Sequence, residues 1–278
     1  MPCSLRAALV GAALCFLLAG CVGIEAFGGS RERVAEWAAP RGFVVEKIEA
    51  GRFALLALLR GAAPLLTIYI EGDGAPWPNV YQPPRDPTPP RPLALALAAQ
   101  DPAPAVAYLG RPCQYLDEAA RKVCPVDYWT RRRFAPEAVA ALDMAVDRLK
   151  ARSGASRIRL VGHSGGGTIA ALLAARRRDV EGWITVAAPL DLAEWTKTHN
   201  LTPLEDALDP FALPAVPPPG GLHFAGARDQ VVPARIAERF VQRHGGRLEV
   251  IPDFDHDCCW ARDWPGLLRG ADILEGKP

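Results

Sequence analysis

The sequence predicts an α/β domain: one mostly parallel, twisted sheet of about eight strands, helices on both faces and a short cap region. Three observations predict it. Two apolar runs, "FVVEKIEA" and "FALLALLR", are separated only by Gly51 and Arg52, the signature of an antiparallel hairpin that forms the first strand pair. After them, short apolar runs alternate with longer helical stretches, which a right-handed parallel crossover requires. The chain has 278 residues and half of them are apolar, enough for one large core.

The elements follow in order. "RERVAEWAA" (31–39) reads as a short amphipathic helix, and "PLLTIYIEGDG" (64–74) as a buried strand ending in glycine. Residues 91–100 read as helix, 105–110 as strand, 136–152 as helix, 157–163 as strand, 165–177 as helix and 182–189 as strand. Residues 221–227 read as strand, 233–245 as helix, 247–252 as strand, and "ARDWPGLLRG" (261–270) as a helix broken at its proline. Two proline-rich stretches, 75–92 and 212–221, read as ordered loops of the same domain, because proline removes backbone donors and each stretch sits between elements.

Lys and Arg number 32 against 31 Asp and Glu, a formal charge of +1, so no electrostatic footprint exists for nucleic acid. The amino terminus reads differently. Arg6, an apolar run over 7–18 too short to span a bilayer, and "LLAGC" ending at Cys21 form the pattern of an export signal. Its ending resembles the bacterial lipobox, which implies a signal over 1–20, lipid on Cys21, and a lipidated segment with a short helix over 21–40 ahead of the domain at 41–278. Residue 22 is Val rather than Asp, which by that analogy points to the outer membrane, facing the periplasm.

Export leaves four unmodified cysteines, Cys113, Cys124, Cys258 and Cys259, and an even count in an oxidising compartment predicts disulfides. Cys113 with Cys124 is the favoured pair, closing a short loop worth about 2–3 kcal/mol on the chain-entropy model. Cys258 and Cys259 are then left to bridge each other, stay as thiols or cross-pair. A zinc site built from them with His256 and Asp257 is disfavoured, since adjacent cysteines are not a chelating spacing.

"GHSGG" at 162–166 fits G-x-S-x-G between a predicted strand and a predicted helix, the context of a nucleophile elbow. Gly162 and Gly166 supply the small residues that such a turn needs, and Ser164 projects beyond the carboxyl edge of the sheet. No Walker lysine and no G-x-G-x-x-G spacing accompany it, which argues against a phosphate cradle. A serine nucleophile needs a base and an orienting acid later in the chain. Asp229 follows one predicted strand and His256 follows the last. Asp191 is the competing acid, after the "ITVAAP" strand. His163 lies inside the elbow, His223 within a strand, and His199 and His244 at surface positions, so none of these competes as base.

The developing oxyanion needs two backbone donors. Gly165 N–H is the first; the second is expected from the loop after the third strand. There "EGDG" (71–74) resembles an H-G-x-G oxyanion loop with Glu71 in place of histidine, which implies Asp73 N–H as the second donor. A carboxylate beside an oxyanion is unfavourable unless it points away or is paired.

From about residue 40 onward the chain resembles an α/β-hydrolase. More narrowly, "YIEGDG", "RPCQYL", "GHSGGG", "AARR", "DV", "GARDQVVP" and "DHDCCW" resemble a group of bacterial exported hydrolase-like lipoproteins. The resemblance implies Ser164 as nucleophile, His256 as general base and then acid, Asp229 as orienting acid, and no cofactor or metal. It implies an esterase-like enzyme acting on a small or lipid-derived acyl substrate, attached to the membrane by its N-terminal lipid. The alternative is a non-catalytic envelope lipoprotein that uses the fold to bind a ligand or partner. Residues 190–220 are too short for a large lid, so an open site is expected, with Trp77, Tyr81 and Trp195 as candidate aromatic walls.

Overall fold

The computed structural model describes residues 27–75, 77–79, 81–214 and 221–270. The signal assigned to 1–20 and the anchor at Cys21 lie outside the described residues. The described chain forms one eight-stranded sheet in the order β1-β2-β4-β3-β5-β6-β7-β8. Its strands are β1 (Val44–Ala50), β2 (Phe53–Arg60), β3 (Leu65–Ile70), β4 (Val106–Leu109), β5 (Arg157–His163), β6 (Val180–Val186), β7 (Leu222–Gly226) and β8 (Arg247–Ile251). β1 and β2 pair antiparallel from Val44 opposite Leu59 to Ala50 opposite Phe53. Gly51 makes the turn in the left-handed region, at φ 61°. β2 also runs antiparallel to β4, and the strands from β4 through β3 to β8 are mutually parallel.

Because the sheet is covered on both faces, its strands are apolar on both sides, and alternate residues enter different cores. From β2, Leu55 and Ala57 join one core while Leu56 and Leu58 join the other. The first core packs under α4 (Pro136–Ser153), α5 (Gly165–Arg176) and Phe240 of α7 (Arg235–His244). The second packs under α1 (Arg31–Ala38), α2 (Leu93–Gln100) and α8 (Trp260–Gly270).

The proline in the last helix does not break it: α8 runs through Pro265. Packing decides the matter. Trp260 and Trp264 are fully buried, and Trp264 Nε1 donates to Tyr69 Oη at 2.8 Å. A buried Trp removes about 150–250 Å² from water, which outweighs the ~3 kcal/mol cost of an interior proline. Two further short helices, α3 (Glu118–Val123) and α6 (Leu192–Thr198), have too few turns to show a period in sequence. Their signal is the N-cap: Asp117 accepts from Ala120 N at 2.8 Å and Asp191 from Glu194 N at 3.0 Å. Cys113 is bridged to Cys124, and Cys258 to Cys259. Among the described residues no helix is long and apolar enough to cross a membrane.

Candidate active site

The strand order reverses at β3: the chain leaves it outward to β4 and then returns to β5 on its other side. Open α/β sheets hold ligands at such a switch point, beyond the carboxyl ends of the strands. Both the 71–74 loop, after β3, and Ser164, after β5, lie there.

Ser164 has φ 51° and ψ −127°, a conformation that side-chain-bearing residues rarely adopt. The surroundings hold it there. Ser164 N donates to Val186 O at 2.8 Å, and Gly167 N to Ser164 O at 2.9 Å. A Cβ on Gly162 would run into the Gly166 carbonyl, and one on Gly166 into the carbonyls of Ile70 and Glu71. The tight turn therefore admits only glycine at both positions.

Ser164 Oγ lies 3.1 Å from His256 Nε2, and His256 Nδ1 lies 2.9 Å from Asp229 Oδ2. Asp229, 2% exposed, uses its other oxygen to accept from Val231 N at 2.8 Å and Val232 N at 2.7 Å. A carboxylate only accepts, so Nδ1 carries the proton donated to Asp229 and Nε2 is left to accept from the Ser164 hydroxyl. The competing acid is elsewhere: Asp191 caps α6 and pairs with Arg239 at 2.9 Å.

The other histidines are engaged elsewhere: each has one ring nitrogen at hydrogen-bond distance from a partner, while the buried Nε2 of His223 has none among the described residues. His223 is fully buried, with Nδ1 2.9 Å from Thr185 Oγ1, and burial pushes its pKa down to about 3. His199 and His244 place Nε2 at 2.9 Å from Val231 O and 3.1 Å from Phe211 O, so they stand half-buried against backbone carbonyls rather than free at the surface. His163, also buried, donates from Nε2 to the backbone carbonyl of His256 at 3.1 Å. Burial, reinforced by nearby His256, pushes the His163 pKa down to about 3, so it is a neutral strut between the elbow and the base.

The two carboxylates of the 71–74 loop differ sharply. Glu71, 2% exposed, accepts at Oε1 from Gly72 N at 2.9 Å, while Oε2 has no hydrogen-bond partner among the described residues. Burial pushes its pKa up to about 7. Asp73 lies beside the elbow, where a Cβ on Gly165 would strike its carboxylate. It is ion-paired to Arg133 at 2.8 Å and Arg111 at 3.3 Å. Burial alone would raise the Asp73 pKa, but the two arginines outweigh it and hold the carboxyl below its ordinary value. Among the described residues, neither Gly165 N–H nor Asp73 N–H has an acceptor.

Sequence reasoning missed Arg111, Arg133 and the strut role of His163, which carry no motif of their own; "RPCQYL" was visible only as a resemblance. Of the candidate aromatic walls, Trp77 and Tyr81 are exposed. Trp195 is not an open platform: it is buried against Val232 and Ile236, and its Nε1 donates to Val231 O at 2.8 Å, bracing the loop that follows Asp229.

No protein-family profile matches the chain, and no curated protein matches it. Solved structures do. The chain is similar to Est1E from Butyrivibrio proteoclasticus at 17% identity and a TM-score of 0.57, over 83% of this chain and 98% of that one. It is similar to an esterase from Pyrococcus furiosus at 12% identity and a TM-score of 0.58, over 86% and 91%. An alpha-beta serine hydrolase homologue from Coxiella burnetii matches at 15% identity and a TM-score of 0.53, over 84% and 97%. At these identities the likeness concerns the fold: the chain has the α/β-hydrolase fold, and Ser164, His256 and Asp229 stand in it in the arrangement of a Ser-His-Asp triad.

Proposed function

We propose that this protein is an esterase-like serine hydrolase, transferring an acyl group from an ester or thioester to water. The observation that carries the reading is the unbroken relay from Ser164 Oγ through His256 to Asp229, with the serine held at positive φ. In this reading Ser164 Oγ attacks the acyl carbonyl while its proton passes to His256 Nε2. Asp229 steadies the imidazolium through Nδ1–H. Two free amides, Gly165 N–H and Asp73 N–H, receive the oxyanion. His256 then protonates the departing alcohol or thiol, and a water deprotonated by His256 resolves the acyl-enzyme. The pairing of Asp73 by two arginines supports this use of its amide, because it removes the repulsion that a bare carboxylate would impose.

The test is labelling of the purified chain with a fluorophosphonate, read by intact mass. One adduct per wild-type chain and none on Ser164→Ala is the expected result, with turnover falling by about 10⁶ in the variant. An unlabelled wild type with its disulfides intact overturns the proposal and favours a binding role.

The N-terminal pattern supports a second part of the proposal: export, lipidation at Cys21 and attachment to the bacterial outer membrane facing the periplasm, with the hydrolase domain from residue 41. Metabolic labelling with a palmitate analogue is expected to mark the wild type and not Cys21→Ser. Equal labelling of both would remove the anchor from the reading.

A further inference from the structure

The motif "RPCQYL" (111–116) has no part in the triad, yet it reaches the 71–74 loop at two points. Arg111 Nη1 pairs with Asp73 Oδ1 at 3.3 Å, and Gln114 Nε2 donates to the Gly72 carbonyl at 3.1 Å. These are the side chain of the residue proposed as second oxyanion donor and the carbonyl of the very peptide that carries its N–H. Gln114 is locked in turn, because its Oε1 accepts from Arg111 N at 3.0 Å. From another loop Arg133 closes the clamp, pairing with Asp73 Oδ2 at 2.8 Å while its own carbonyl accepts from Arg111 Nη2 at 2.7 Å. Arg111 is 3% and Gln114 1% exposed, so these contacts are shielded from water and strong.

The turn that supplies these groups is itself an unfavourable conformation. Cys113 has φ 70° and Tyr115 φ 59°, both in the left-handed region and neither a glycine. Such backbone persists only where its surroundings over-determine it, and here they do. Cys113 is bridged to Cys124, Tyr115 N donates to Thr88 Oγ1 at 2.7 Å, Tyr115 Oη lies 2.9 Å from Tyr108 Oη, and Gly110 N donates to Leu56 O at 2.9 Å. Four separate anchors thus hold a short turn from which Arg111 and Gln114 address one loop of the site.

We infer that the 111–116 turn, held by the Cys113–Cys124 bridge, is the positioning device of the oxyanion hole, with Arg111, Gln114 and Arg133 as positioning residues that set the Asp73 amide. The inference rests on the serine-hydrolase reading above. Its consequence is that a secondary layer of ionic and amide contacts, remote from the nucleophile in sequence, sets the rate of the acyl-transfer step without contributing to ground-state binding.

The experiment uses the full chain with its bridges formed, p-nitrophenyl acetate as substrate and a fluorophosphonate to count reactive serines. Gln114→Glu keeps the acceptor for Arg111 N but sets a carboxylate oxygen against the Gly72 carbonyl. It is expected to lower kcat per titrated serine by about 10²-fold while KM moves by less than about threefold. Arg133→Met should act in the same direction and Arg133→Lys should restore most of the rate. Cys113→Ser with Cys124→Ser should lower kcat per titrated serine by about tenfold. Wild-type kcat per titrated serine in the Gln114 and Arg133 variants overturns the inference. So does a loss that appears only as fewer titratable serines and a lower Tm, since that is a purely structural role. Should Gln114→Glu fail to fold, the Arg133 pair decides, because that side chain comes from a separate, partly exposed loop. A wild type with no titratable serine overturns the hydrolase reading along with the clamp.

Discussion

Two turns face each other across Ser164, the elbow at 162–166 and the loop at 71–74, and they are held by different means. The elbow is held by steric exclusion and backbone hydrogen bonds: Gly162 packs against the Gly166 carbonyl, Gly166 against the carbonyls of Ile70 and Glu71, and Ser164 N is tied to β6. The 71–74 loop is held by side chains arriving from far along the chain, Arg111, Gln114 and Arg133. The first device tolerates almost no change of residue and needs no charge. The second works through ion pairs and a buried amide, so it can be loosened in steps. A site built this way has a fixed serine and an adjustable partner loop.

The largest effect tests the fixed side. Asp229→Asn would present an amide N–H₂ either to the Val231 and Val232 amides or to His256 Nδ1, forcing the wrong imidazole tautomer. A fall in kcat of about 10⁴ at nearly constant KM is expected in steady-state kinetics. A loss below about tenfold would show that Asp229 does not orient the base.

Neighbouring glycines separate the two devices. Gly166→Ala drives a methyl into the Ile70 and Glu71 carbonyls, which are strand-end backbone and cannot yield. Urea unfolding should report a loss of at least about 4 kcal/mol, or no folded protein. Gly165→Ala meets the Asp73 carboxylate, a side chain that must shift within its arginine clamp rather than a backbone carbonyl. That variant should fold, keep a titratable serine and lose roughly tenfold in kcat through the disturbed 71–74 loop. Equal destabilisation by both would erase the distinction.

A smaller, pH-dependent effect sharpens the picture of the adjustable side. Burial raises the folded Glu71 pKa from 4.5 to about 7. Its contribution to stability is therefore fully present below about 4.5 and is lost as the pH rises through about 7, because the buried charged form is disfavoured. Glu71→Gln stays neutral throughout. Relative to wild type, it should gain up to about 3 kcal/mol between pH 5 and pH 8 by chemical denaturation. A difference between the two chains that does not change with pH would mean that Glu71 stays ionised in the fold.

Much of this was legible in the amino-acid sequence because it is local. The hairpin at Gly51, the alternation of strands and helices, the elbow glycines around Ser164, and an acid and a histidine just past the last two strands all follow from backbone sterics and periodicity over a few residues. What only the tertiary structure decided involves partners far apart in the chain. Asp73 meets Arg111 and Arg133 across 38 and 60 residues, and Gln114 meets Gly72 across 42. The neutrality of His163, the raised pKa of Glu71 and the unbroken α8 around Pro265 have the same origin. Each depends on how much water and how much opposite charge the packed chain leaves around a group, and no pattern of neighbouring residues carries that information.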